Sequence, residues 1–316
     1  MLRLQCDVKN YAWGQPGNTS LVAELARCGS GLKISQDEPY AELWMGVHPS
    51  GPSYLQAGGG TLQEWIEKHS SALGPKMVAA YGVTLPFLFK ILSVKTALSI
   101  QSHPDKALAA QLHCDRPEVY VDANHKPEMA IAVRNFEALC GFATITEIAA
   151  SMAEHAELRV CVGEEAATAL VDSSDLPLTD QEAALRVAFT ALMTCDSELY
   201  AREARNLHVR LSQSLCLEGK EAVFMKVFEE FPEDVGTLAL FFLNYLCVEP
   251  GEAIFLPANE PHAYLSGELL EAMASSDNVI RAGLTPKLRD TEVRKMLFAF
   301  SIFISVFNKI LVLFPP

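Results

Sequence analysis

For its length the chain is short of cations: Lys and Arg total 25 against 39 Asp and Glu, a formal net charge of −14. A field of that sign repels polyphosphate, which argues against nucleic acid as a partner, and any small anionic ligand must be met by a few cations gathered at one site. Paired thiol motifs are missing too. The eight cysteines, Cys6, Cys28, Cys114, Cys140, Cys161, Cys195, Cys216 and Cys247, are scattered with no CxxC, and the opening MLRLQCDVKNYAWG has no apolar signal core. Reduced thiols in a cytoplasmic protein are therefore expected. There is no internal repeat and no low-complexity linker. What is left is a 316-residue globular composition, 50% hydrophobic and 20% charged, able to bury a sizeable core and to divide into two domains.

Residues 1–145 are turn-rich, with WGQPGNTS, HPSGPS and QAGGG between short segments. The run FLFKILSVKTALSIQSH reads as strand and TLQEWIEKHSSAL as an interposed helix. From about Thr146 to Phe231 the chain is rich in Ala, Glu and Leu with few glycines. In LTDQEAALRVAFTALM, Thr179 and Glu182 have capping-box spacing, and Leu185, Ala188, Phe189 and Leu192 share one helical face. Strand and turn text then returns in LALFFLNYLCVEPGEAIFLPANEPHAYLSGE.

Three stretches carry residues suited to chemistry. Gln101 and His103 lie two apart, so an extended backbone points both to one face. That pair is compatible with a metal, but alone it is weak evidence, and an exposed Gln and His before Pro104 is the commoner reading. In ANHKPEMAIA, His125, Lys126 and Glu128 crowd together just before an alternating run. Pro127 holds Lys126 extended and so fixes where Lys126 and Glu128 point; a solvated strand entrance is the plainer reading. The third stretch, PGEAIFLPANEPH, spaces Gly251, Pro257 and His262 as G-x5-P-x-N-x-x-H. It resembles the second cupin motif, G-x5-P-x-G-x-x-H, with Asn259 where that family usually has Gly. Together Gln101, His103, Glu128 and His262 offer two imidazoles, a carboxylate and an amide oxygen, a set that suits Zn²⁺. The same His and carboxylate types also suit an Fe²⁺ facial triad, so the donors alone leave the metal open.

Longer stretches carry a more specific resemblance. YVDANHKPE (Tyr120 to Glu128) and HAYLSGELLEAMASSDNVIRAGLTPK (His262 to Lys287) resemble the two signatures of type I phosphomannose isomerases, and YAWG, YAELWMGVHPSGPS and LPFLFKILSVKTALSIQSHPDK match as well. The resemblance runs from about Leu4 to Leu297. It implies a mainly β fold with an α insertion: a cupin-like jelly-roll catalytic domain from residues 1–145 and 246–296, and a helical domain at 146–245. It also implies one zinc ion per chain on Gln101, His103, Glu128 and His262, and interconversion of mannose 6-phosphate and fructose 6-phosphate, within mannose metabolism and GDP-mannose supply. Arg281 falls on the family's catalytic arginine and is expected to stabilise developing negative charge, since a guanidinium stays protonated. Lys126, His125 and Asp277 are the candidates for proton transfer and ring opening. Lys90, Lys287 and Glu271 are expected to bind substrate, the lysines supplying the local cations that an acidic protein needs for a phosphate.

The end of the chain departs from the family, which continues for roughly another hundred residues as a C-terminal jelly-roll. Residues 297–316 instead form an apolar tail. Its length approaches the roughly 20 residues of a bilayer span, but Asn308, Lys309 and the closing Pro-Pro interrupt it, so no membrane partner is expected. A monomer acting on a small sugar phosphate is the expected form. A truncated cupin-like protein that binds metal or sugar phosphate without turnover is the alternative.

Overall fold

The computed structural model describes residues 2–286 and 311–312. The strand-like runs assemble, among the described residues, into one ten-stranded antiparallel sheet: β1 Asp7–Lys9, β2 Glu42–Met45, β3 Phe87–Val94, β4 Ile100–Ser102, β5 Glu128–Phe142, β6 Leu243–Val248, β7 Glu252–Leu256, β8 His262–Ala274, β9 Ile280–Gly283 and β10 Leu311–Val312. The spatial order is β10-β7-β5-β8-β3-β2-β1, with β6 on β5 and with β4 joined to both β8 and β9. The run FLFKILSVKTALSIQSH thus supplies two strands, β3 and β4.

The two long strands, β5 and β8, decide where the site forms. They pair from Met273 opposite Glu128 to His262 opposite Cys140. A flat ribbon of that length would hold its ends roughly 40 Å apart. Instead the ladder is interrupted between Gly267 and Leu269, where β5 skips from Phe136 to Ala132, and the ribbon folds over on itself. Gly267 makes the corner possible. Its φ is +110°, and a Cβ there would come within 2.2 Å of the Asn135 carbonyl oxygen. The two halves then face each other across a shared core, with Ala130, Ala132 and Leu269 from one side and Ala138, Cys140 and Tyr264 from the other.

Helices occupy the flanks. In the first part of the chain these are α1 Leu21–Ser30, α2 Leu62–Lys68, α3 Pro75–Tyr81 and α4 Lys106–Asp115. Between β5 and β6 come α5 Ile145–Glu154, α6 Ala156–Val162, α7 Glu164–Asp172, α8 Leu178–Met193, α9 Ser197–Leu211, α10 Gly219–Glu230 and α11 Gly236–Ala239. Leu185, Ala188, Phe189 and Leu192 of α8 are fully buried, as their spacing predicts. Its start differs from expectation: Thr179 and Glu182 form no capping box, because the helix begins earlier, at Leu178 behind Pro177, which leaves Thr179 inside the first turn. Gln181 closes that end by donating its side-chain amide to the carbonyls of Ser174 and Leu176. The helical layer is seated on the sheet by edge-on aromatic contacts of Phe189 with Phe142 (5.0 Å) and Phe242 (5.3 Å). No helix among the described residues is long and apolar enough to cross a membrane. The apolar tail at 297–316 lies outside the described residues, apart from Leu311 and Val312.

Candidate metal centre and active-site cavity

His103 stands just past the end of β4, Glu128 opens β5 and His262 opens β8. All three are buried, and one ligand atom from each lies within 4.8 Å of the others. Each histidine is oriented through its other nitrogen: His103 Nδ1 lies 2.7 Å from the Asn278 carbonyl oxygen and His262 Nδ1 lies 3.0 Å from that of Glu260. A carbonyl only accepts, so each Nδ1 carries the proton and each Nε2 presents a lone pair. Those lone pairs face a carboxylate: His103 Nε2 is 3.2 Å from Glu128 Oε1 and His262 Nε2 is 3.4 Å from Oε2. Among the described residues, neither Nε2 nor Glu128 Oε2 has a hydrogen-bond partner.

Three acceptors buried together repel one another and lose their hydration, a costly arrangement unless a cation sits between them. The donor set of two imidazoles and one carboxylate fits a divalent ion such as zinc, with both rings held by outer hydrogen bonds in the metal-ready tautomer. Burial pushes the His103 imidazole down to about 4, which keeps its Nε2 free of a proton. Burial opposes ionisation of Glu128, yet the carboxyl is held well below its usual range, a shift to which the Lys126 ammonium, 3.3 Å from Oε1, contributes. Gln101 pairs with His262 across one edge of β4 and with Arg281 across the other.

A cavity of about 590 Å³ opens over this centre. Gln101, Glu128, Lys126, Lys90, Glu271 and Arg281 all line it. At its far end Lys90 Nζ sits 3.2 Å from Glu271 and 3.7 Å from Glu42, over the Trp44 ring at 5.0 Å. Burial alone would discharge this amine, but the two carboxylates hold its pKa well above the ordinary lysine value. Glu271 is pushed the other way from a normal carboxylate, raised by burial and by the charge of Glu128, and it accepts from the Tyr264 hydroxyl at 3.0 Å. Glu42 accepts from the Trp44 indole. Arg281, half-buried, has no carboxylate partner among the described residues, and burial lowers its pKa from a value so high that it stays a cation.

A family model for the catalytic domain of type I phosphomannose isomerase matches residues 1–145, and one for the helical insertion domain of the same family matches residues 161–243. The chain belongs to the type I phosphomannose isomerase family. Relatives bear this out at length. Mannose-6-phosphate isomerase 1 of Arabidopsis thaliana is 43% identical over 308 residues, covering 95% of this chain and 71% of the relative. The human mannose-6-phosphate isomerase is 43% identical over 296 residues, covering 91% and 70%. The crystal structure of the Salmonella typhimurium mannose 6-phosphate isomerase bound to fructose 6-phosphate and zinc superposes with a TM-score of 0.78 at 34% identity, over 95% of this chain and 73% of that one. The fold expectation, a cupin-like sheet domain joined to a helical insertion, agrees with these phosphomannose isomerase structures.

Among the residues singled out from the sequence, the family fold gathers Gln101, His103, Glu128, His262, Lys126, Lys90, Glu271 and Arg281 at one place. It leaves His125 half-buried and Asp277 exposed, neither on the cavity wall. Asp277 instead pairs with His48 at 3.5 Å, and the His48 hydrogen bond holds its carboxyl below the usual value. Lys287 lies outside the described residues. Three contributors were missed in the sequence. Glu42 and Tyr264 read as ordinary strand polar and aromatic residues until Lys90 and Glu271 are seen beside them. Asn278 gave no signal of its own; Asp122 and Asn124 receive its side-chain amide, which places its carbonyl against His103.

Proposed function

We propose that this chain is a zinc-dependent aldose–ketose isomerase that interconverts mannose 6-phosphate and fructose 6-phosphate. The observation that carries the reading is the buried trio of acceptors unpartnered among the described residues, His103 Nε2, His262 Nε2 and Glu128 Oε2, joined through Glu128 to a cavity whose wall also carries the Arg281 guanidinium. His103, Glu128 and His262, with Gln101 beside them, would hold the zinc, one per chain. When bound, zinc supplies Lewis acidity toward sugar oxygens without changing oxidation state.

The reaction moves one proton from carbon 2 of the open-chain aldose to carbon 1 and a second from the carbon-2 hydroxyl oxygen to the carbon-1 oxygen, with negative charge developing on those two oxygens in between. Arg281 faces that charge as a fixed cation. Lys90, kept protonated by Glu42 and Glu271, is a second preset cation for an anionic substrate, and Lys287 is assigned with it to substrate binding. Lys126 and Glu271 are the proton-carrying groups inside the cavity, and we assign proton transfer to them. His125 and Asp277, off the cavity wall, are assigned to opening the sugar ring. Residues 1–145 and 246–296 form the catalytic unit in this reading, 146–245 the helical one. We place the enzyme in the cytoplasm as a monomer; its eight free cysteines support a reducing compartment.

The test is a coupled assay for fructose 6-phosphate formation on the purified chain, with metal analysis of the same sample. One zinc per chain with turnover is expected. Zinc uptake without turnover would leave a binding protein, and turnover that survives complete chelation would end the metal-dependent reading.

A further inference from the structure

The ladder joining β4 to β8 stops at the Gln101–His262 pair, so His103 lies beyond its last rung. What continues the connection is Asn259, the residue that replaces the glycine of the cupin motif. Its φ of +69° lies in the left-handed region that ordinarily favours glycine and that Asn tolerates better than most side chains. Unlike glycine, Asn brings an amide to the position, and the amide is fully used. Oδ1 accepts from the Asp105 backbone N–H at 3.1 Å, and Nδ2 donates to Asp105 Oδ2 at 3.0 Å. The Asn259 backbone N–H donates to the His103 carbonyl at 2.7 Å. The other oxygen of Asp105 accepts from the N–H groups of Ala107 and Leu108, both at 2.9 Å, anchoring the far side of the clasp on the first turn of α4.

The loop that ends in His262 is thereby tied, through a buried residue, to the loop that leaves His103. The two imidazole centroids sit 5.1 Å apart. Separation of the two Nε2 atoms is set by where these loops lie relative to each other, because each ring is already oriented by its Nδ1 hydrogen bond, that of His262 to Glu260 in its own loop and that of His103 to Asn278 in the segment after β8.

We propose that Asn259 and Asp105 form a positioning clasp that holds His103 and His262 at ligating separation and so sets how tightly the centre retains its metal. Neither residue touches metal or substrate, and the proposal rests on the metal-centre reading above. Two single variants open the clasp in different ways. Asn259→Gly keeps the left-handed backbone and its N–H to His103 while deleting the amide. Asp105→Asn keeps Oδ1 as the cap of α4 but sets its NH₂ against that of Asn259. The double variant, Asn259→Asp with Asp105→Asn, reverses donor and acceptor and closes the clasp again without changing total charge.

The experiment loads wild-type protein and each variant with zinc and follows release to a chromogenic chelator. Parallel samples carry cobalt(II), whose visible bands report ligand geometry. Both single variants are expected to release zinc on the order of tenfold faster, as for other residues that orient metal ligands from behind, and to shift the cobalt bands. The double variant is expected to return both readouts toward wild type, a coupling that general loop weakening would not give. Unchanged release and spectra in the single variants overturn the proposal, and so does a double variant that stays as impaired as either. A wild-type chain that takes up neither metal overturns the metal-centre reading itself, an outcome distinct from both.

Discussion

At one end of the cavity, His103, His262 and Glu128 bring together three buried acceptors that no donor satisfies, whereas at the other end Lys90, Glu271, Glu42, Tyr264 and Trp44 answer one another group for group. Both ends are buried, so burial alone does not explain the difference. The unmatched end has the Lys126 ammonium on Glu128 Oε1 but leaves its three remaining acceptors for an arriving cation, and the matched end has its charge fixed before any ligand arrives. One buried polar cluster is therefore a socket and the other a preset field, and the bonding of the individual atoms tells them apart.

The strongest way to break this contrast is to remove the carboxylate from the unmatched end. Glu128→Ala leaves two lone-pair nitrogens without their anionic partner. Zinc content measured by elemental analysis should fall to near zero, with a loss of several kcal/mol in transition-state stabilisation, on the order of a thousandfold or more in turnover. Retained zinc and retained turnover would show that the trio is not the socket. Next in size is Arg281, the cation that neither end neutralises. Arg281→Ala should lower the turnover number about 10²- to 10³-fold while changing the Michaelis constant much less, because its interaction grows as charge develops. A change confined to the Michaelis constant would move Arg281 into the substrate-binding set.

The matched end should respond through stability. Lys90→Met leaves Glu271 and Glu42 facing each other without a cation and should cost about 3 kcal/mol in denaturant unfolding. Adding Glu271→Gln should recover much of that loss, whereas no such recovery is expected on pairing two substitutions at the unmatched end. The smallest effect is predicted at the folded corner, where Glu137 accepts from Tyr245 at 2.5 Å and from Ser266. Burial raises its pKa, but these hydrogen bonds outweigh burial and leave it lowered in the folded state. The stability it contributes is present above the unfolded carboxyl value, near 4.3, and is lost as pH falls through the lower folded value. Glu137→Gln should therefore cost about 1 kcal/mol near neutrality, discounted for its partial exposure, and the gap to wild type should close in acid. A gap that widens in acid would reverse the assigned sign.

Local spacing made part of this legible in the sequence. SIQSH does supply a strand, ending at Ser102, and the α8 face of Leu185, Ala188, Phe189 and Leu192 is buried because helices repeat every 3.6 residues. What spacing hides is pairing between distant segments. Gly267 in HAYLSGELLEAMA reads as a weak strand position, and its corner emerges only against Asn135. Thr179 and Glu182 have the right spacing for a cap and yet form none, since Pro177 sets the helix start upstream. His125 sits beside the wall residue Lys126 in sequence but off the wall in space, because neighbours on an extended segment point to opposite sides, and Asp277 is turned away to His48.

Folding order follows from the corner at Gly267. Glu128 precedes the whole helical layer in the chain and His262 follows it, and the two meet only once the β5–β8 ribbon has doubled over. Each ligand pair that spans this gap closes a long loop, the slowest kind of contact to make. During synthesis Gln101, His103 and Glu128 emerge long before their partner, so the nascent chain has an incomplete site until the helices and then β8 have left the ribosome. Metal capture is in this sense a late event that certifies a finished fold, and its binding energy adds to the stability of the closed ribbon alone.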